Sequence, residues 1–281
     1  MSANRRYLPF NFLWLLVAAV VCAGPVILLA AETLESVIQH PDWLLLIWPG
    51  ERRTRLLINS LSLSGCTAVA CMIIGLLAGL AIWRMNPKIS VWLKWAVLIF
   101  IPLPPYIHAL AWMAAIQSLN TVLSSLGIPP ISLQGWWGTF WVQCMALLPL
   151  AVGIALLSLQ TVDPELIEAG QLLAPGYAVL TKVILPLSRP LLASGAGFLF
   201  LLTLIDHSVS GLFGLNTYAL DLFAEFSATN QPARAFLLAF PGLLVGFLIL
   251  TIIQTGIRRV TQPIVFSQRS VAHFSLPVWM Q

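Results

Sequence analysis

Residues 163–190 read DPELIEAGQLLAPGYAVLTKVILPLSRP. Asp163 followed by Pro164 is a helix start: an acidic cap, then a proline whose missing N–H costs nothing in the first turn. Glu165 and Glu168 fall in the opening turns, where the helix dipole favours negative charge. At about 100° per residue, Glu165, Glu168 and Gln171 share one arc, and Leu166, Ile167, Ala169 and Leu173 the other. Leu172 breaks the pattern by pointing into the polar arc. Ala174-Pro175-Gly176 then stops the helix, because a residue before proline resists the helical region and glycine takes the sharp turn. A second short helix is expected from Tyr177 to Ile184, with Pro186 and Pro190 marking the entry to the next apolar run.

That run is one of several. The chain has 281 residues, 59% of them hydrophobic and 9% charged, with a mean hydropathy of +0.92. Soluble domains carry about a quarter charged residues, so this composition points to an all-α membrane protein. Its net charge of +4 then bears on topology. No basic tract with interleaved aromatics is present, and no nucleic-acid role is expected. Cys22, Cys66, Cys71 and Cys144 all lie in apolar runs without CxxC or Cys/His spacing, which reads as packing rather than a disulfide framework or a metal site.

A spanning helix needs about 20 apolar residues to cross roughly 30 Å of hydrocarbon. On that measure, spans fall near 12–31, 56–82, 91–117, 136–159, 187–205 and 235–257. The first follows Arg5 and Arg6 but is longer than a signal-peptide core, and reads as an uncleaved transmembrane helix. Three regions follow: 1–55, with the first helix and an outer loop; 56–257, a core of about five helices with the connector at 160–190; and a tail at 258–281. Six spans put both termini on one side. With the N-terminus cytoplasmic, Arg5, Arg6, Arg84, Lys88, Lys94, Lys182, Arg189, Arg258, Arg259 and Arg269 lie inside, and Arg52, Arg53, Arg55 and Arg234 outside. Ten basic residues against four favour this orientation, with ERRTR at 51–55 as the local exception. GLLAG at 75–79 and GLLVG at 242–246 would let helix backbones approach closely. Prolines at 25, 102–105, 149 and 241 would kink their helices.

The connector at 163–190 is therefore expected to be a cytoplasmic helix-turn-helix. One reading lays it on lipid headgroups. Its first helix leads with acids and lacks Lys and Arg, which favours docking to a protein instead. It also resembles the cytoplasmic "EAA" loop of type I binding-protein-dependent ABC importer permeases, whose pattern is EAA-x3-G-x9-I-x-LP. Here Glu168, Ala169 and Gly170 stand for EAA, Ala174 for the glycine, and Lys182–Pro186 (KVILP) for the ending, in a segment one residue shorter. The resemblance implies the type I permease fold in a prokaryotic inner membrane. It also implies two ABC ATPase subunits, a second permease copy or sister permease, and an extracytoplasmic solute-binding protein. Glu165, Glu168, Ala169, Gly170, Leu172, Ala174, Gly176 and Pro186 would form the ATPase-coupling element.

A second stretch, TLIDHSVSGLFGLNTYALDLF at 203–223, resembles the corresponding region of permeases for ferric iron, thiamine and aminophosphonate, with Asp206 matching the acid. His207 and Ser208 depart from the next two positions. In this reading ferric iron leads, with thiamine, aminophosphonate or another small solute behind. Asp206 lies about 24 Å along the helix from Pro190. It faces either a path through the protein or the outer interface. His207, His108 and Tyr106 are further path candidates, and Asp221 and Glu225 fall to the outer loop.

Enzymatic chemistry is not expected. Asp206-His207-Ser208 are contiguous and cannot fold into a nucleophilic triad. No GxSxG, HExxH or phosphate-binding glycine loop occurs, so ATP hydrolysis would belong to a partner, and no cofactor is expected. An ATP-independent transporter or channel and a membrane scaffold are the alternatives, neither of which calls for a coupling-type loop.

Overall fold

The computed structural model describes the backbone from Leu8 to Arg258 and side chains from Val17 to Gln254. Arg5, Arg6, Arg259, Arg269 and the rest of the expected tail lie outside the described residues. Every element is helical: α1 (Leu8–Gln39), a 3-10 turn (Pro41–Ile47), α2 (Glu51–Arg84), α3 (Pro87–Phe100), α4 (Pro105–Ser125), α5 (Gly135–Gln160), α6 (Pro164–Leu173), α7 (Gly176–Val179), a π turn (Leu180–Ile184), α8 (Leu185–Ile205), α9 (Ser208–Leu212), α10 (Tyr218–Thr229) and α11 (Pro232–Arg258). In lipid each backbone polar group must be satisfied within the chain, and apolar runs of this length achieve that as helices.

Two compact units are present. The first holds the described residues up to Arg55 together with Asp221–Leu244. Here α2 begins at Glu51, so ERRTR is a helical turn rather than a loop. Asp221 and Glu225 stand on α10, a helix in the connection between α8 and α11. Arg52 Nη2 lies 2.7 Å from Asp221 Oδ1, and Arg53 lies 3.5 Å from both Asp221 and Glu225. Arg234 Nε lies 2.8 Å from Glu225 Oε1, and Arg55 pairs with Glu51 one turn earlier. The basic cluster that stood against the charge rule is thus largely neutralised by acids on a later helix.

The second unit holds Leu56–Leu220 and the described residues from Val245. Gly75 meets Ala151 and Gly79 meets Ala155, at 2.8 and 3.0 Å from the place of a glycine Cβ. Both numbers rise together, so α2 and α5 run parallel. Gln143 contacts Asp206 and Ile154 contacts Gly195, so α8 runs antiparallel to α5. Contacts of Gly197 with Ile253 and of Leu201 with Gly246 set α11 antiparallel to α8. Among the described residues, five helices are long and apolar enough to cross a membrane. Because α2 and α5 are parallel, the chain between them must return along the whole bundle. The pair α3–α4 makes that return, and counted as one bent span it brings the candidate spans among the described residues to six.

The expected span 91–117 is therefore not one helix. It breaks at 101–104 with a bend of 96° between α3 and α4. Pro102, Pro104 and Pro105 supply no N–H, and Pro104 is held extended at φ −60°, ψ 143°. Pro25, Pro149, Pro190 and Pro241 stay inside continuous helices. Of the small-residue patterns, GLLAG makes a close approach through both of its glycines. A Cβ at Gly246 would meet nothing nearer than 3.9 Å. The closest α8 packing comes instead from Gly195 and Gly197, against Ile154 and Ile253.

Candidate functional site

The connector forms as its sequence requires at the start and differently at the turn. Asp163 Oδ1 accepts the Glu165 N–H at 2.9 Å, capping α6. At the other end the Ala174 N–H donates to Gly170 O at 2.9 Å, and Ala174 is extended at φ −150°, ψ 152°. No left-handed backbone is used there, so alanine serves where the family pattern has glycine. Gly176 does not make the turn either: it opens α7, with Pro175 as the cap at φ −63°, ψ 151°.

The second arm does not end before the membrane helix. Residues Gly176–Ile205 form one helix of 30 residues, with the π turn at Leu180–Ile184 taking up the register and Pro186 inside the first turn of α8. A proline near the start of a turn lacks only a donor that has little to bind, and the wider π turn accommodates the ring. Pro186 and Pro190 therefore lie at the entry to the next run within a helix that is continuous from the connector.

Ile167, Val179 and Ile184 are buried with Leu159 and Val162, and Leu76, Leu80 and Trp83 of α2 pack on them. The connector is thereby seated on the ends of α2 and α5. Gly170 sits directly over Val179, whose Cγ1 would lie 3.2 Å from a Cβ there. The second alanine of the EAA pattern would be a tight fit here. The expected apolar arc is only partly buried: Ile167 is, whereas Leu173 is 89% exposed and Leu166 half exposed, and Leu172, expected in the polar arc, is 88% exposed. Ile167 is the one buried residue of α6, and the end of the helix is left uncovered. Glu165, Glu168 and Ala169 are exposed as well.

At the other end of the unit, Asp206 caps α9. Its Oδ1 accepts from Ser208 Oγ at 2.6 Å and Ser208 N at 3.3 Å. Its Oδ2 accepts from Gln143 Nε2 at 3.0 Å and Val209 N at 3.2 Å. His207 receives the Gly211 N–H on its carbonyl at 3.0 Å. Tyr106 and His108 stand in the first turns of α4, just past the bend, and are not among the Asp206 partners. His108 Nε2 is buried without a hydrogen bond. Gln143, 1% exposed and with Oε1 unpartnered, was not singled out from the sequence. A lone amide in an apolar run is the signal that points to it.

The architecture is the transmembrane-subunit fold of type I ABC importers. A bacterial ABC transporter involved in import of the acidic polysaccharide alginate has a TM-score of 0.65 at 16% identity, over 92% of this chain and 98% of that one. The MetNI methionine ABC transporter in an inward-facing conformation has a TM-score of 0.55 at 20% identity, over 74% and 94%. An amino acid ABC transporter with histidines has 0.51 at 16%, over 80% and 97%. No family model matches the sequence, and no significant match is found among curated proteins.

Proposed function

We propose that this chain is the transmembrane permease subunit of an ATP-driven, binding-protein-dependent importer, with its connector facing the cytoplasm. The observation that carries the reading is the seating of the connector. Its two arms lock together at Gly170 and Val179, its second arm is one helix with α8, and its tip presents Leu172 and Leu173 to a partner. Force applied to α6 by two ATPase subunits passes into α8 without a flexible joint, and from α8 into the bundle. A second copy or a sister permease completes the path, and an external binding protein delivers the solute. The neighbours described above support this by fold, since each is an ABC transporter. For the cargo, the resemblance at 203–223 supports ferric iron ahead of thiamine, aminophosphonate or another small solute. In proteoliposomes holding the full complex, Glu168→Lys tests the reading: it abolishes binding-protein-stimulated ATP hydrolysis and leaves membrane insertion intact. Unchanged stimulation refutes it.

A further inference from the structure

In the first unit Arg52, Arg53, Arg55 and Arg234 each pair with an acid. In the second unit Arg84 and Lys88 pair with none among the described residues. From Arg52 to Val162 the chain contains no Asp or Glu, so α2 beyond Glu51, α3, α4 and α5 offer these two cations no partner.

Their position in the fold is set by packing. Trp83 belongs to the apolar cluster that seats the connector, so Arg84, the last residue of α2, stands at the connector end of the unit. Asn86 Oδ1 accepts the Lys88 N–H at 3.1 Å and caps α3. Leu93 and Val97 of α3 then pack with Val152 and Leu156 of α5, which covers one side of α3. The other side is open. Lys88, Trp92, Trp95 and Ile99 follow one another at four, three and four residues, a single helical stripe. Lys88 is exposed, and Trp92, Trp95 and Ile99 are 79%, 59% and 69% exposed. At 1.5 Å per residue the stripe is about 16 Å long, one leaflet of a hydrocarbon core of roughly 30 Å. From the connector end inward it passes from cation to indole to aliphatic side chain, the order in which a phospholipid passes from phosphate through glycerol to acyl chain. Indoles gather at the middle of that sequence, the lipid–water boundary.

We propose that Arg84, Lys88 and the Trp92–Trp95–Ile99 stripe bind an anionic phospholipid in the leaflet on the connector side. The two cations attract its phosphate, the indole of Trp92 lies at its glycerol, and its acyl chain runs along Trp95 and Ile99. A zwitterionic lipid brings a cation of its own to Arg84 and Lys88 and gives up part of the attraction. A second copy of this chain on the same face, related by a two-fold axis, would bring like charges together with no acid between them. A soluble protein does not reach Trp95 and Ile99, which lie at hydrocarbon depth. The proposal rests on the membrane fold alone and is independent of the importer reading.

The test uses the full-length chain in phosphatidylcholine nanodiscs doped with a trace of phosphatidylglycerol that carries a diazirine in its acyl chain. The same diazirine on phosphatidylcholine is the comparison, and photo-adducts are located by peptide mass spectrometry. A basic residue beside an anionic headgroup is worth about a fivefold factor. On the wild type, residues 88–100 are therefore labelled at least about tenfold more by the phosphatidylglycerol probe than by the phosphatidylcholine probe. The exposed stretch of α11 around Phe247 is labelled equally by both. Lys88→Gln, at an exposed position outside the packed core, lowers the ratio about fivefold, and adding Arg84→Gln brings it to that of α11. Excess glycerol 3-phosphate leaves the labelling unchanged. Equal labelling of residues 88–100 by the two probes overturns the proposal, and so does an unchanged ratio in Lys88→Gln. Displacement by glycerol 3-phosphate overturns it in favour of a small soluble anion. Near-complete disulfide pairing of Trp92→Cys chains overturns it in favour of a second copy on this face.

Discussion

A methyl group added at Gly170 would stand 3.2 Å from Val179 Cγ1, so the first arm of the connector rests directly on the second. The contact converts two short helices into one rigid piece. Isolated helices of this length are marginal in water, and it is packing that holds them.

Gly170 substitutions are therefore graded by size. Gly170→Ala gains helix propensity, about 1 kcal/mol, and asks Val179 to yield by a few tenths of an ångström, so the two effects nearly cancel. Gly170→Leu wedges α6 off α7. Hydrogen exchange over residues 167–173 is expected to be close to wild type in the first variant and at least about tenfold faster in the second, which corresponds to about 1.4 kcal/mol of lost local stability.

The tip of α6 has a different role. Leu172 and Leu173 contribute no burial within the chain, so Leu172→Ser with Leu173→Ser leaves the thermal stability of the isolated subunit unchanged. In the full complex the pair lowers binding-protein-stimulated ATP hydrolysis by at least about tenfold, the scale on which exposed apolar anchors act at interfaces. Equal stimulation in wild type and variant would show that the tip does not dock.

Asp206 holds four donors, one from Gln143 of α5 and three from Ser208 and Val209 at the start of α9. Asp206→Asn puts an amide N–H₂ against some of them. The expected loss is about 1–3 kcal/mol, read as a lower melting temperature in detergent. Transport falls further than assembly if the cap also shapes the path, and an unaltered uptake rate would reduce Asp206 to an interfacial cap.

The arginines at the start of α2 test burial against distance. Arg52 has the shorter contact, 2.7 Å, but its side chain is 76% exposed, whereas Arg53 sits 3.5 Å from both acids and is 21% exposed. Exposed pairs contribute about 0–1 kcal/mol, so Arg52→Ala is nearly silent. Arg53→Ala uncovers Asp221, only 13% exposed, and is expected to cost more, about 1–2 kcal/mol. Thermal unfolding of the two variants at one ionic strength decides the order.

Gly75 and Gly65 provide a matched pair on α2. A Cβ at Gly75 would lie 2.8 Å from the Ala151 backbone, while one at Gly65 meets nothing within 4 Å. Gly75→Ala is expected to destabilise by about 1–3 kcal/mol through overpacking. Gly65→Ala is neutral or stabilising by up to about 1 kcal/mol.

Much of this molecule is legible along the chain. Apolar runs long enough to span lipid dictate helices, because an unpaired backbone group has no partner in hydrocarbon. The Asp163-Pro164 cap, the stop at Ala174-Pro175 and the break at 101–104 are local events, decided by which residues lack an N–H or prefer extended backbone. Contacts between distant residues are not written that way. Nothing near Asp206 announces Gln143, nothing near ERRTR announces Asp221 and Glu225, and nothing near Gly170 announces Val179. The parallel register of α2 and α5 and the continuity of α7 with α8 depend on which side chains meet across helices. Those pairings follow from the packing of whole surfaces, a property of the folded chain and not of any segment in it.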